Sequence, residues 1–241
     1  MRIVSLVPSI TETLFDFGLS SAEVVGRTKF CIHPAGEVQQ VAIVGGTKNI
    51  HIDKIAALQP DLIIANKEEN ERSQIEELMK THRVWVTDVS TIAENKIFLS
   101  DLGTLLNQPD KAKEFSNSIN TALSGYALKK PKTAYLIWQN PMMTVGNDTF
   151  IHDILRTLGF ENIFKNRTRY PQIEEEDLIE AELILMSSEP YPFKEKHVGE
   201  MKQKFPHARI ELVDGEAFSW FGSHLAGAGP YFEELRSRLL K

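Results

Sequence analysis

One cysteine, Cys31, is all the sulfhydryl chemistry the 241 residues hold, so an internal disulfide is excluded. Long apolar runs are missing too. No stretch approaches the roughly 20 residues of a membrane span, and Ile3 to Val7 is too short for a signal-peptide core, so a protein not inserted in a membrane is expected. Basic charge is not in excess. The 27 Lys and Arg are dispersed and outnumbered by 33 Asp and Glu, a net −6, which argues against a nucleic-acid partner. Catalytic signatures are absent as well: there is no Gly-x-Ser-x-Gly elbow, no Walker loop, no Gly-x-Gly-x-x-Gly fingerprint and no His-Glu-x-x-His. Nothing names a nucleophile, and the expectation is a protein that is not an enzyme and requires no cofactor.

What is present is a pattern stated twice. Glu12-Thr13-Leu14-Phe15-Asp16-Phe17-Gly18-Leu19 runs into Val24-Val25 and Arg27-Thr28. Asp153-Ile154-Leu155-Arg156-Thr157-Leu158-Gly159-Phe160 runs into Ile163-Phe164 and Arg167-Thr168. Each copy reads as an acidic, amphipathic helix closed by a glycine and followed by a short apolar strand. Asp61-Leu62-Ile63-Ile64 is echoed by Glu182-Leu183-Ile184-Leu185. Two similar α/β lobes are expected, and a cleft between lobes is a favoured place for a small molecule.

Strands are expected at Ile3 to Val7, Val41 to Val44, Asp61 to Ala65 and Val84 to Asp88, with helices around Ile52 to Leu58 and Ser73 to Lys80. Alternation of this kind favours a parallel sheet. Ser9-Ile10-Thr11-Glu12 has the spacing of a capping box opening the first helix. From Pro109 to about Leu128, Ala112, Phe115, Ile119, Leu123 and Tyr126 recur at helical spacing. One long interlobe helix is the expectation. The second lobe resumes with a strand at Thr133 to Trp138, a helix from Phe150 to Leu158, strands at Leu183 to Met186 and Ile210 to Val213, and a final helix from Pro230 to Leu240. The fold class is α/β, two Rossmann-like lobes with mainly parallel sheets joined by that helix: residues 1–107, a connector at 108–131, and residues 132–241.

In open α/β sheets ligands sit beyond the carboxyl ends of strands, so the residues following each strand are the candidates. Pro8, Ser9 and Gly46 lie there, and Phe30, Tyr170, Trp220 and Phe221 supply flat apolar faces suited to a large planar ligand, or else core. Cys31-Ile32-His33 pairs a sulfur with an imidazole, yet no second cysteine or close histidine pair completes a protein-only metal site. His33 and His224 are the candidates for an axial ligand to a metal already held in a macrocycle. Glu174 to Asp177 reads as favourable charge at a helix N-terminus rather than acid–base machinery.

Taken together, Arg2-Ile3-Val4-Ser5-Leu6-Val7-Pro8-Ser9, Val44-Gly45-Gly46, the run Ile55 to Ala65, Gly159-Phe160-Glu161-Asn162-Ile163, Tyr170-Pro171-Gln172-Ile173 and Ser219-Trp220-Phe221-Gly222-Ser223 resemble the substrate-binding proteins of cobalamin and iron–siderophore ABC importers, nearest to the cobalamin branch. The resemblance covers almost the whole chain. It implies capture of a cobalamin-like corrinoid or other metal chelate between the lobes, with Phe30 and His33 facing it from the first lobe and Tyr170, Trp220 and Phe221 from the second. His33 stands where that branch carries an aromatic residue and Gly222 where it carries an acid, so haem or a ferric chelate fits the pattern as well. A monomer is implied, docking an ABC permease through one acid on each lobe, Glu71 and Glu195. The resemblance implies a periplasmic or extracytoplasmic location; a native start at Met1 would instead imply the cytoplasm. The competing expectation is a cytoplasmic corrinoid- or haem-handling protein, or an enzyme, with no transport role.

Overall fold

The computed structural model describes residues 1–124 and 130–239, and the chain divides into two compact units. The first comprises Met1–Val89, Glu94–Asn117 and Phe221–Ala226; the second comprises Ser90–Ala93, Ser118–Trp220 and Gly227–Lys241.

The first unit is built on strands β1 (Ile3–Ser5), β2 (Val24–Arg27), β3 (Ala42–Ile43), β4 (Leu62–Asn66) and β5 (Val84–Thr87), all parallel in the order β3-β2-β1-β4-β5. Helices α1 (Pro8–Asp16), α2 (Ile52–Ala57) and α3 (Arg72–Met79) make the crossovers that parallel strands require. Val4, Leu6, Ile55, Ile63, Ala65 and Leu78 are fully buried in its core. Each such aliphatic side chain removed from water contributes about 1.5–3 kcal/mol for Val, Leu or Ile.

Two departures from expectation fall near these elements. The Ser9–Glu12 capping box does not form: Pro8 occupies the first turn, Val7 is the N-cap without a side-chain bond, and Ser9 lies inside α1. Proline's fixed φ suits that position and moves the helix start upstream. The second is α4 (Ile92–Leu105), a helix not anticipated from the sequence, which is followed by Asn107 at φ 57° and then α5 (Pro109–Ala122). The latter is shorter than the helix read as far as Leu128. Its last turn tightens, with the Ser124 amide donating to the Thr121 carbonyl, and Tyr126 and Leu128 lie outside the described residues.

The second unit carries β6 (Lys132–Leu136), β7 (Glu161–Asn162), β8 (Leu183–Ser187) and β9 (Arg209–Val213), again parallel, in the order β7-β6-β8-β9. Helix α6 (Phe150–Thr157) joins β6 to β7, a 3-10 turn at Glu175–Leu178 precedes β8, and α7 (Glu195–Lys204) joins β8 to β9. Helices α8 (Gly215–Ser219) and α10 (Gly229–Leu239) also belong to this unit, whereas α9 (His224–Gly227) lies almost wholly in the Phe221–Ala226 segment of the first unit. Ile163-Phe164, expected as a strand, follows one instead, because pairing with β6 falls at Glu161 and Asn162.

The doubled pattern is thus a doubled topology: β2-β1-β4-β5 in one unit corresponds to β7-β6-β8-β9 in the other. Gly18 and Gly159, at φ 95° and 83°, stop equivalent helices in the left-handed conformation glycine tolerates. The echoed acids do equivalent work. Asp61 accepts the Arg2 amide at 2.6 Å and Glu182 accepts the Lys132 amide at 2.8 Å, each pinning the residue that opens or precedes its lobe's first strand.

Candidate ligand-binding loops

In each unit the strand order reverses beside the first strand, β1 next to β4 and β6 next to β8, and the crevice at such a switch point is where open α/β sheets take ligands. The loops there are held by side chains together with isolated backbone pairs, Gly45 with Ile50 in the first unit and Met143 with Trp138 and Gln172 in the second.

In the first unit the loop after β2 winds around Arg27, a buried guanidinium whose Nε donates to the Val38 carbonyl at 2.7 Å and whose Nη1 donates to the Thr28 and Cys31 carbonyls, both at 3.1 Å. This leaves Phe30 on the surface, 49% exposed, with Lys29 Nζ 5.0 Å from its ring centre. Gly46 lies against it: a Cβ there would stand 3.4 Å from the ring. His33 is half-buried two residues beyond Cys31. Cys31 itself faces inward, its sulfur 3.1 Å and 3.2 Å from the hydroxyls of Thr11 and Thr28, and burial pushes its thiol above the usual range. It packs in the buried interior, and among the described residues no three His, Cys, Asp or Glu side chains converge on a metal position.

The loops after β1, β3 and β4 meet at Asn70. Its Nδ2 donates to the Leu6 carbonyl at 3.1 Å and the Thr47 carbonyl at 3.0 Å, while its Oδ1 accepts the Asn66 amide at 2.8 Å. Pro8, half-buried, and Ser9, buried, open α1 directly after β1.

Phe221 and His224 also belong to this unit, not to the second lobe from which Phe221 was expected. Phe221 packs edge-on against Phe98 at 5.4 Å, and His224 Nδ1 lies 2.8 Å from Glu12 Oε2 on α1. Between them Gly222 at φ 91° brings the backbone onto Thr13, whose Oγ1 accepts the Ser223 amide at 3.0 Å. Ser223 Oγ donates to Asp16 at 2.6 Å, and burial raises that carboxyl above its ordinary range.

In the second unit the loop after β7 presents Tyr170, half-buried, with the Arg169 guanidinium 5.7 Å from its ring centre. Trp220, 7% exposed, donates its indole N–H to Glu189 Oε1 at 3.0 Å, and the same oxygen accepts from Ser219 at 2.8 Å. Two further aromatic residues stand at the switch point, Trp138 and Tyr191, of which only Tyr191 falls in a stretch the sequence marks as following a strand. Trp138, 38% exposed, meets Tyr191 edge-on at 5.5 Å, and the Tyr191 hydroxyl donates to Gln139 Oε1 at 2.7 Å. Read as the last residue of a strand, Trp138 looked structural; β6 ends at Leu136, which places it in the loop.

The two expected docking acids occupy matching places. Glu71 is the exposed N-cap of α3, after β4, and Glu195 the exposed first residue of α7, after β8.

Two parallel-sheet lobes with aromatic loops at their switch points are the architecture of a two-lobed binding protein. The chain belongs to the periplasmic binding protein family, matched over residues 3–206. Its sequence is 30% identical over 186 residues to the vitamin B12-binding protein of Salmonella typhimurium, covering 74% of this chain and 68% of that one. Its fold matches the periplasmic vitamin B12 binding protein BtuF of Vibrio cholerae with a TM-score of 0.81 at 17% identity, over 100% of this chain and 98% of the other. S. aureus IsdE, solved in complex with heme, matches with a TM-score of 0.79 at 18% identity, over 100% and 99%. No helix among the described residues is long and apolar enough to cross a membrane.

Proposed function

We propose that this chain binds a cobalamin-like corrinoid or another metal chelate, as the monomeric, extracytoplasmic binding component of an ABC importer. The observation that carries the reading is the likeness to a vitamin B12-binding relative over 74% of the chain, joined to exposed or half-buried aromatic side chains on the loops where an α/β sheet takes its ligand. Phe30, Gly46, Pro8 and Ser9 form the first lobe's contact surface, with His33 beside it and Phe221 and His224 on the same lobe; Tyr170 and Trp220 serve on the second. A flat macrocycle is held by such faces through its large apolar area, while the loops, already fixed by Arg27 and Asn70, lose little freedom on binding. His33 favours haem or a ferric chelate where an axial nitrogen is wanted.

Glu71 and Glu195 dock a permease, and their support is positional: an exposed acid at the start of the helix that follows an equivalent strand in each lobe. Absorbance and calorimetric titration with cobalamin, cobinamide, haem and a ferric siderophore tests the ligand. Saturation by one of them at about micromolar concentration is expected, and silence from all four sinks the reading.

A further inference from the structure

Behind the Trp138 loop the second unit holds a cavity of about 90 Å³. Its inner lining is apolar: Met186, Phe193 and Met201 are buried around Leu136, with Met142 half-buried beside them, and Gln139 and Asn140 lie on the loop that edges it. At the mouth are Trp138 and three exposed charged side chains, Glu175, Glu200 and Lys204. Glu175 is bonded to Lys204, whereas Glu200 has no side-chain partner among the described residues. The mouth therefore carries one carboxylate in excess over its ammonium.

The size sets what can enter. At about 30 Å³ for each water, the space equals roughly three waters, enough for a short hydrocarbon body and far too little for a tetrapyrrole. The floor sets the body's character, because thioether side chains and a phenyl ring offer dispersion and no hydrogen bond. The mouth sets the charge. An ammonium group there meets Glu200 and the indole of Trp138, both of which attract cations, while an anion meets a mouth whose one ammonium, Lys204, is already paired with Glu175.

We infer that this cavity is a second ligand site, for a small aliphatic primary ammonium compound whose alkyl chain lies among Met142, Met186 and Met201 and whose charged end lies at Glu200. It is independent of the chelate reading, since its lining and its size would be the same if no chelate bound.

The test is a titration of the full chain, labelled at its methionine methyl groups, with n-butylammonium, 1-butanol and butyrate, followed by NMR. Saturable shifts of Met142, Met186 and Met201 are expected, with Met1 and Met79 of the first unit unmoved. n-Butylammonium should bind at least about threefold more tightly than 1-butanol, the modest gain expected of a partly exposed ion pair, and butyrate more weakly than either. Glu200→Gln, an exposed change that spares the core, should remove the preference for the ammonium while leaving the alkyl contribution. No saturable shift at the three methionines, or equal affinity for all three compounds, or a preference that survives Glu200→Gln, overturns the inference.

Discussion

Asn70 holds the backbone of Leu6 across 64 residues of sequence, its amide donating to the Leu6 carbonyl at 3.1 Å while also bridging Thr47 and Asn66. One buried side chain thereby fixes the loops after β1, β3 and β4 against each other. Asn70→Ala leaves two carbonyls and one amide without their partner in a buried place, at a cost of about 2–4 kcal/mol. Asn70→Asp retains the acceptor but loses the donors and buries a charge, so it should not rescue. Urea denaturation of both variants checks this, and stability within 0.5 kcal/mol of wild type for Asn70→Ala, roughly the scatter of a neutral surface change, would contradict the bridge.

Gly222 is fixed by Thr13 as well as by its own φ of 91°, since a Cβ on Gly222 would lie 2.1 Å from Thr13 Oγ1. Gly222→Ala should therefore destabilise by about 2–4 kcal/mol, combining left-handed strain with the displaced contact. Thr13→Ala alone should cost about 1 kcal/mol, because Oγ1 accepts the Ser223 amide, yet it removes the obstructing oxygen, so the double variant should lose less than the two single losses added together. Losses that simply add would show that the close approach has no energetic weight.

The lobes were legible because their determinants are local. A helical stripe closed by a glycine, and an acid followed by an aliphatic run, recur at Glu12 to Leu19 and Asp61 to Ile64 and again in the second half. Helix α4 escaped notice because its apolar residues go round the helix instead of lining one face: Phe98, Leu99 and Leu102 are buried while Ile97 is 60% exposed. The spacing of Ser9 and Glu12 suggested a cap that Pro8 pre-empts. Which unit takes Phe221 and His224 was not readable either, since their partners Phe98 and Glu12 lie more than a hundred residues away. Aromatic identity was visible in the sequence; its placement depended on contacts distant in the chain.

Two of the five tyrosines should resist ionisation. Burial pushes Tyr231 up to about 12, and Tyr135, wholly buried with its hydroxyl on Ser187, is raised further. Because the folded values exceed the unfolded one, these phenols stabilise the fold fully below about pH 10, and that contribution is lost as pH rises through 12. Absorbance at 295 nm should show the phenols of Tyr135 and Tyr231 ionising only as the chain unfolds. Five equivalent tyrosines titrating near 10 in a folded chain would refute the burial of both.

Charge reversal at Glu71 and Glu195 separates docking from capture. Both acids are exposed and open helices, so Glu71→Lys with Glu195→Lys should cost about 1–2 kcal/mol of stability at the two helix N-termini and leave chelate affinity unchanged. Association with permease-containing membranes should fall at least about tenfold, because like charges replace complementary ones. Retained association would remove these two residues from the docking account.

Aromatic walls should carry the affinity for the chelate. Tyr170→Ala, at a half-buried loop position, should weaken binding by about 1–2 kcal/mol, roughly five- to thirtyfold in Kd, with little change in folding stability. Calorimetry of the variant against the ligand identified for wild type gives the number, and an unchanged Kd would take Tyr170 out of the binding surface.

Native mass spectrometry of the full chain, mixed with equimolar cobalamin and haem at about ten micromolar, bears most directly on chelate binding. The account predicts a one-to-one adduct with one of the two chelates, lost when both Tyr170 and Phe30 are changed to alanine. An unliganded peak alone, in a sample whose circular dichroism shows the chain folded, would contradict it.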